Sequence, residues 1–131
     1  MRIIYVYKET GEDYVMHFMR GCSEKIREKF KFLIYRLLTE CELPREPHIK
    51  HFTIEKYKAI YEMRIRIDNQ IVRVMFSLYH GRDILLLHAF YKHSPQDGER
   101  GLEMAYKRYC RLGKEGYAEQ ADFSILGGAS R

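Results

Sequence analysis

The chain contains no tryptophan, only three prolines and three cysteines. No apolar run approaches the roughly 20 residues of a membrane-spanning helix. Cys22, Cys41 and Cys110 form an odd set without C-x-x-C spacing, so neither a disulfide framework nor a zinc knuckle is suggested. His48-x-x-His51 is too sparse for a metal site, and H-E-x-x-H is missing. With no Gly-rich phosphate loop and no nucleophilic Ser or Cys motif either, the expectation is a protein without metal or cofactor. The N-terminal Met1-Arg2-Ile3-Ile4-Tyr5-Val6-Tyr7-Lys8 is too short for the apolar region of a signal peptide. By elimination the expected location is cytoplasmic, with no membrane partner. Internal repeats and low-complexity segments are absent as well.

What is present is an ordinary globular balance, 46% hydrophobic and 31% charged over 131 residues. That length suits one domain able to bury a core without staples. The net charge of +5 favours anionic partners, nucleic acid or an acidic protein.

Residues 3–7 read as a short β-branched and aromatic strand. Thr10 looks like the cap of a short helix reaching Met19, ended by Gly21. Ser23 caps the clearest element: Ile26, Phe30, Leu33, Ile34, Leu37, Leu38 and Cys41 form one stripe of a 3.6-residue period. Pro44 and Pro47 end that helix. The period then becomes two. A weak strand at 48–52 precedes alternation through Tyr61–Ile67 and again through Ile71–Leu78. Ile84–Tyr91 is nearly all apolar, as in a strand covered on both faces. Ser94-Pro95-Gln96-Asp97 starts a last helix that runs to about Leu112.

The expected fold class is therefore α+β: a small antiparallel sheet of about four to five strands, packed by two N-terminal helices and one C-terminal helix. The expected domain is 1–112, with 113–131 a C-terminal tail prone to disorder. The long helix should cover the face bearing Val72, Val74, Phe76 and Leu78. That leaves Arg64, Arg66, Arg73 and Ser77 on a polar, basic face.

Charge and imidazole concentrate in the same region. Residues 45–92 hold nine Lys or Arg against five Asp or Glu, and five of the six histidines lie between 48 and 93. Such a face suits an RNA phosphodiester. Metal-free RNA cleavage needs a proton acceptor for the 2′-hydroxyl, cations for the crowded phosphate and a proton donor for the leaving 5′-oxygen. Guanidiniums stay charged and hold phosphate bidentately, and imidazoles titrate near neutrality. Arg64, Arg73, Lys92 and His93 are the candidates. Arg66, Lys50, Tyr61 and His88 are candidate RNA contacts, the tyrosine by stacking. Each also has a plain structural reading: arginines on a solvated strand face, His88 as a hydrogen-bonded core residue, Tyr61 as packing.

Three blocks in order carry a resemblance: Ile60-Tyr61-Glu62-Met63-Arg64-Ile65, Val72-Arg73-Val74-Met75-Phe76, and Leu85-Leu86-Leu87-His88-Ala89-Phe90-Tyr91-Lys92-His93. They are followed by a helix with Glu99 or Glu103, Ala105 and Arg108. Over residues 2–112 the chain resembles the phage-derived branch of the RelE/HigB-like toxins of type II toxin–antitoxin systems. That resemblance implies a RelE-like fold and a metal-independent endoribonuclease that cuts mRNA, typically on the ribosome. It also implies a cognate helix-turn-helix antitoxin as partner, with DNA reached only through it. Arg73 would contact the scissile phosphate, Arg64 would be the basic residue of the preceding strand, and Lys92 and His93 would be the basic pair after the last strand. The sequence departs from the pattern at His93, which replaces the second of two lysines, and at the polar spacer shortened to Ser94. Position 62 carries glutamate, as in the phage-type branch, where the founding ribosome-dependent branch has a base. The identities of the general acid and base stay open. A non-catalytic module acting through a helix-turn-helix partner and an inactive RNA-binding domain are the alternative readings.

Overall fold

The computed structural model describes residues 1–126. The part of the expected tail beyond 126 lies outside the described residues. The chain runs β1 (Ile4–Glu9), β2 (Glu12–Asp13), α1 (Tyr14–Arg20), α2 (Glu24–Thr39), β3 (Ile49–His51), β4 (Ile60–Ile67), β5 (Gln70–Tyr79), β6 (Asp83–Tyr91), α3 (Pro95–Arg111) and β7 (Gly116–Gln120). Short 3₁₀ turns occupy Glu55–Tyr57 and Phe123–Leu126.

The sheet corrects the expected fold class. It has seven strands and is mixed. β4, β5 and β6 form an antiparallel meander with β3 on its outer edge, but β1 lies parallel to β6, pairing Ile4 with Ile84 and Val6 with Leu86. Everything from β2 to β5 separates those two strands in sequence, and a long connection of that kind allows parallel pairing. Two strands were not expected. β2 is two residues long and returns from a hairpin turn in which Thr10 (φ 51°) and Gly11 (φ 81°) are left-handed. Thr10 is therefore a turn residue, and α1 is capped instead by Asp13, whose side chain accepts from the Met16 amide at 3.1 Å. β7 falls inside the segment expected to be tail and pairs along β1 from Tyr5 to Glu9. Its sequence, Gly-Tyr-Ala-Glu-Gln, has no apolar alternation; it is recruited by the open backbone edge of β1. Gly116 permits this, since a Cβ there would stand 2.2 Å from the buried Tyr7 ring.

Helices cover both faces. α1 and α2 bury Met16, Met19, Ile26, Phe30, Leu33 and Leu37 against Met63, Ile65, Val72, Val74 and Phe76. α3 lies on the opposite face, with Leu102 and Ala105 against Ile60, Met75, Leu85 and Leu87. That face is thus not uniformly polar. Charge on it gathers near the β4–β5 hairpin and, on β1, at Glu9, which pairs with Arg111 of α3. The cap of α3 is a complete capping box, Ser94 accepting from the Asp97 amide and Asp97 accepting from the Ser94 amide.

Two buried arginines fasten the layers. Arg2 donates to the carbonyls of Leu37, Glu40 and Cys41 at 2.9, 2.7 and 2.8 Å and so satisfies the C-terminal end of α2. Arg108 on α3 donates to the Leu87 carbonyl at 2.9 Å. Leu87 is the extra residue of a β-bulge, because Met75 pairs with His88 while Phe76 pairs with Leu86. No helix among the described residues is long and apolar enough to cross a membrane.

Candidate functional site

The β4–β5 pairing sets Arg64 directly opposite Arg73, and the β3–β4 pairing sets Lys50 opposite Glu62. Period-two alternation then puts all four side chains on the α3 side of the sheet. Glu62 is 3% exposed; its Oε1 accepts a hydrogen bond from Arg64 Nε at 2.9 Å and forms an ion pair with Arg73 Nη1, also at 2.9 Å. Arg73 is the more enclosed guanidinium, with a side chain 13% exposed against 31% for Arg64. Its Nε is buried and has no hydrogen-bond partner among the described residues. A single carboxylate oxygen therefore holds two guanidiniums side by side in the ladder, and their terminal N–H groups beyond that contact can serve another acceptor.

These residues line a cavity of about 200 Å³ together with Phe52 and with Pro95, Gly98, Glu99 and Leu102 of α3. The first turn of α3 is thus one wall. Lys50 Nζ sits 5.0 Å over the Phe52 ring, which keeps the ammonium at the rim. A second cavity, about 310 Å³, shares Arg64 and Arg73 and extends toward the sheet edge along Lys29, Pro47, His48, Ile65, Arg66 and Ile71.

Of the four residues proposed for chemistry, Arg73 and Arg64 meet. Lys92 stands beside them: its backbone N–H donates to the Ile71 carbonyl at 2.8 Å, and its Cε lies 3.3 Å from where a Cβ on Gly98 would be. His93 does not join them. Its ring lies 6.2 Å from Tyr91, whose own ring packs on Phe18 of α1, and its amide donates to Asp97. Among the proposed RNA contacts, Lys50 and Arg66 line the two cavities. Tyr61 is on the other face, stacked between His51 and Phe76 at centroid distances of 4.2 and 5.3 Å. His88 lies under α3, where Arg108 Nη1 approaches its Nδ1 at 3.1 Å. Because a guanidinium can only donate, Nδ1 is the acceptor and the ring is neutral. Burial, with the adjacent Arg108 charge, lowers the His88 pKa to about 4.

Sequence reasoning passed over the centre of the cluster. Glu62 shares strand parity with Arg64 and Arg66, which is the signal that an acid stands among the cations. Phe52, Glu99, Lys29 and His48 carried no such signal, because loop and helix placement brings them in. Among the described residues no group of three or more His, Cys, Asp or Glu could hold a metal ion.

No curated protein matches the chain. Residues 18–110 match a family model, and that span contains every residue of both cavities. The chain belongs to the phage-derived Gp49-like (DUF891) protein family.

Proposed function

We propose that this Gp49-like protein is the toxin of a type II toxin–antitoxin pair and a metal-independent endoribonuclease that cuts mRNA, with the ribosome as its setting and a helix-turn-helix antitoxin as its partner. The observation that carries the reading is the convergence of Arg73 and Arg64 on Glu62 at the mouth of a cavity walled by the first turn of α3. In this reading a scissile phosphate sits against the free N–H groups of Arg73 and Arg64, which neutralise charge as the 2′-oxygen attacks. The helix start behind it favours the same anion. Lys50 and Lys92 add positive charge at the rim. The proton carriers within this cluster are the Glu62 and Glu99 carboxylates and the Lys50 ammonium, because His88 and His93 are held elsewhere.

That last point also favours a second reading, a non-catalytic module that binds RNA or a partner through the same cations. Expression in a bacterial host separates the two. The nuclease reading expects growth arrest and cut ribosome-associated transcripts, both relieved by Arg73→Ala in a protein that keeps its circular-dichroism spectrum. Harmless wild-type expression with intact transcripts would refute it and leave the binding module.

A further inference from the structure

The larger cavity is the least explained feature of the molecule. Arg64 and Arg73 line both it and the α3-walled cavity, so the two adjoin at that pair. Beyond that pair the lining is Lys29 of α2, Pro47 and His48 of the linker, Ile65 and Arg66 of β4, and Ile71 of β5. Its lining holds no acidic residue. Arg66 stands opposite Ile71 in the β4–β5 ladder, on the same side of the sheet as the Arg64–Arg73 pair. Among the described residues the Arg66 guanidinium has no ion pair or hydrogen bond, and the His48 ring has none either; Lys29 Nζ lies 5.3 Å over the Phe32 ring. His48 is fixed by its backbone, whose carbonyl accepts from the Arg64 amide at 2.8 Å. Arg66 and Lys29, with no acid to satisfy them, and the His48 ring, beside an apolar floor of Ile71 and Pro47, match one nucleotide unit: a phosphate for the polar groups and a base or ribose for the floor.

We infer that this cavity is a second nucleotide subsite, in which Arg66, Lys29 and His48 hold the phosphate next to the one at Arg73, so that the protein grips two consecutive phosphates of a single RNA strand. This rests on the proposed RNA substrate, but it concerns binding and not cleavage. The subsite residues all lie away from Glu62, so altering them leaves the guanidinium cluster intact.

The test is equilibrium binding of a fluorescent single-stranded RNA oligonucleotide to the full chain across a salt series. Arg66→Ala and Lys29→Ala are compared with wild type and with Arg73→Ala. Removing one cation that neutralises a phosphate of a single strand makes the slope of log K against log salt shallower by about 0.7. We expect that change for Arg66→Ala, with about a threefold to tenfold weaker affinity at low salt, and a further change in the double variant with Lys29→Ala. A mononucleotide 5′-monophosphate competes at one subsite only and should show a shallower salt slope than the oligonucleotide. If Arg66→Ala and Lys29→Ala bind with wild-type affinity and slope while Arg73→Ala is weakened, the second subsite is refuted and the RNA reading stands. If wild-type protein binds no RNA, both fall together. A circular-dichroism melt of each variant at the wild-type midpoint shows that any change is in binding.

Discussion

The ion cluster at Glu62 makes a prediction whose size follows from burial. Replacing Glu62 with alanine removes the one anion that both guanidiniums contact, at 2.9 Å each. Leaving a buried charge without its partner costs about 3–5 kcal/mol when burial is complete. Arg64, 31% exposed, turns to water at little cost, but Arg73 is 13% exposed and its Nε is already without a partner. The loss should therefore sit below that range, at about 2–3 kcal/mol, which for a chain of this length lowers the melting midpoint by roughly 10 °C. Arg73→Met replaces the second charge with an apolar side chain of similar reach. Alone it leaves Glu62 still held by Arg64, so its cost is smaller. Combined with Glu62→Ala it removes the stranded charge, and the double variant should be more stable than the sum of the singles by at least about 1 kcal/mol. Urea unfolding followed by circular dichroism measures all four corners of the cycle. Additivity within about 0.5 kcal/mol would refute the claim that Glu62 and Arg73 are coupled.

Two further outcomes follow from the α3 interface. His88 has its pKa lowered to about 4 in the folded chain against about 6.5 unfolded, so the unfolded state binds its proton first as pH falls. The contribution is fully present above pH 6.5 and is lost as pH falls toward 4, by up to about 3 kcal/mol, and an NMR titration of the His88 ring showing a midpoint near 6.5 would contradict it. Gly101→Ala should destabilise by about 1–2 kcal/mol in a thermal melt, because the new Cβ would stand 2.2 Å from Cε1 of Phe90, and that overpacking outweighs the roughly 1 kcal/mol alanine adds to helix propensity.

Much of the secondary structure was legible because single residues announce it. Ser23 and Ser94 cap α2 and α3, and the alternation in β4 and β5 fixes which residues share a face. The near-continuous apolar run of β6 foretold a strand covered on both sides, which it is. The sheet's order was not legible in the same way. Nothing in Ile4–Glu9 says that it pairs in parallel with β6, since that pairing is decided by backbone geometry across a long connection. Nor does Gly116–Gln120 read as a strand, because its partner supplies an edge and not an apolar stripe. At the site, alternation correctly joined Arg64 and Arg73 to one face, but it could not tell that α3 would wall that face. It also could not see that the residues after β6 would diverge, Lys92 toward Gly98 and His93 toward Tyr91.

The walling changes what the cations can do. Around the α3-side cavity, Lys50, Arg64 and Arg73 face the carboxylates of Glu62 and Glu99, so most of their charge is answered locally. Around the edge cavity, Arg66 and Lys29 join the same arginine pair with no carboxylate in the lining. Unanswered positive charge is therefore greater at the sheet edge than beneath the helix. A nucleic-acid strand would be captured first at the edge, where binding is governed by unpaired charge and is sensitive to salt. It would then be held at Arg73, where Glu62 has already fixed the geometry and little side-chain freedom remains to be lost. On the proposed RNA reading, attraction and positioning fall to adjacent cavities that share two residues, so a substitution at Arg66 should slow association where one at Arg73 should speed release.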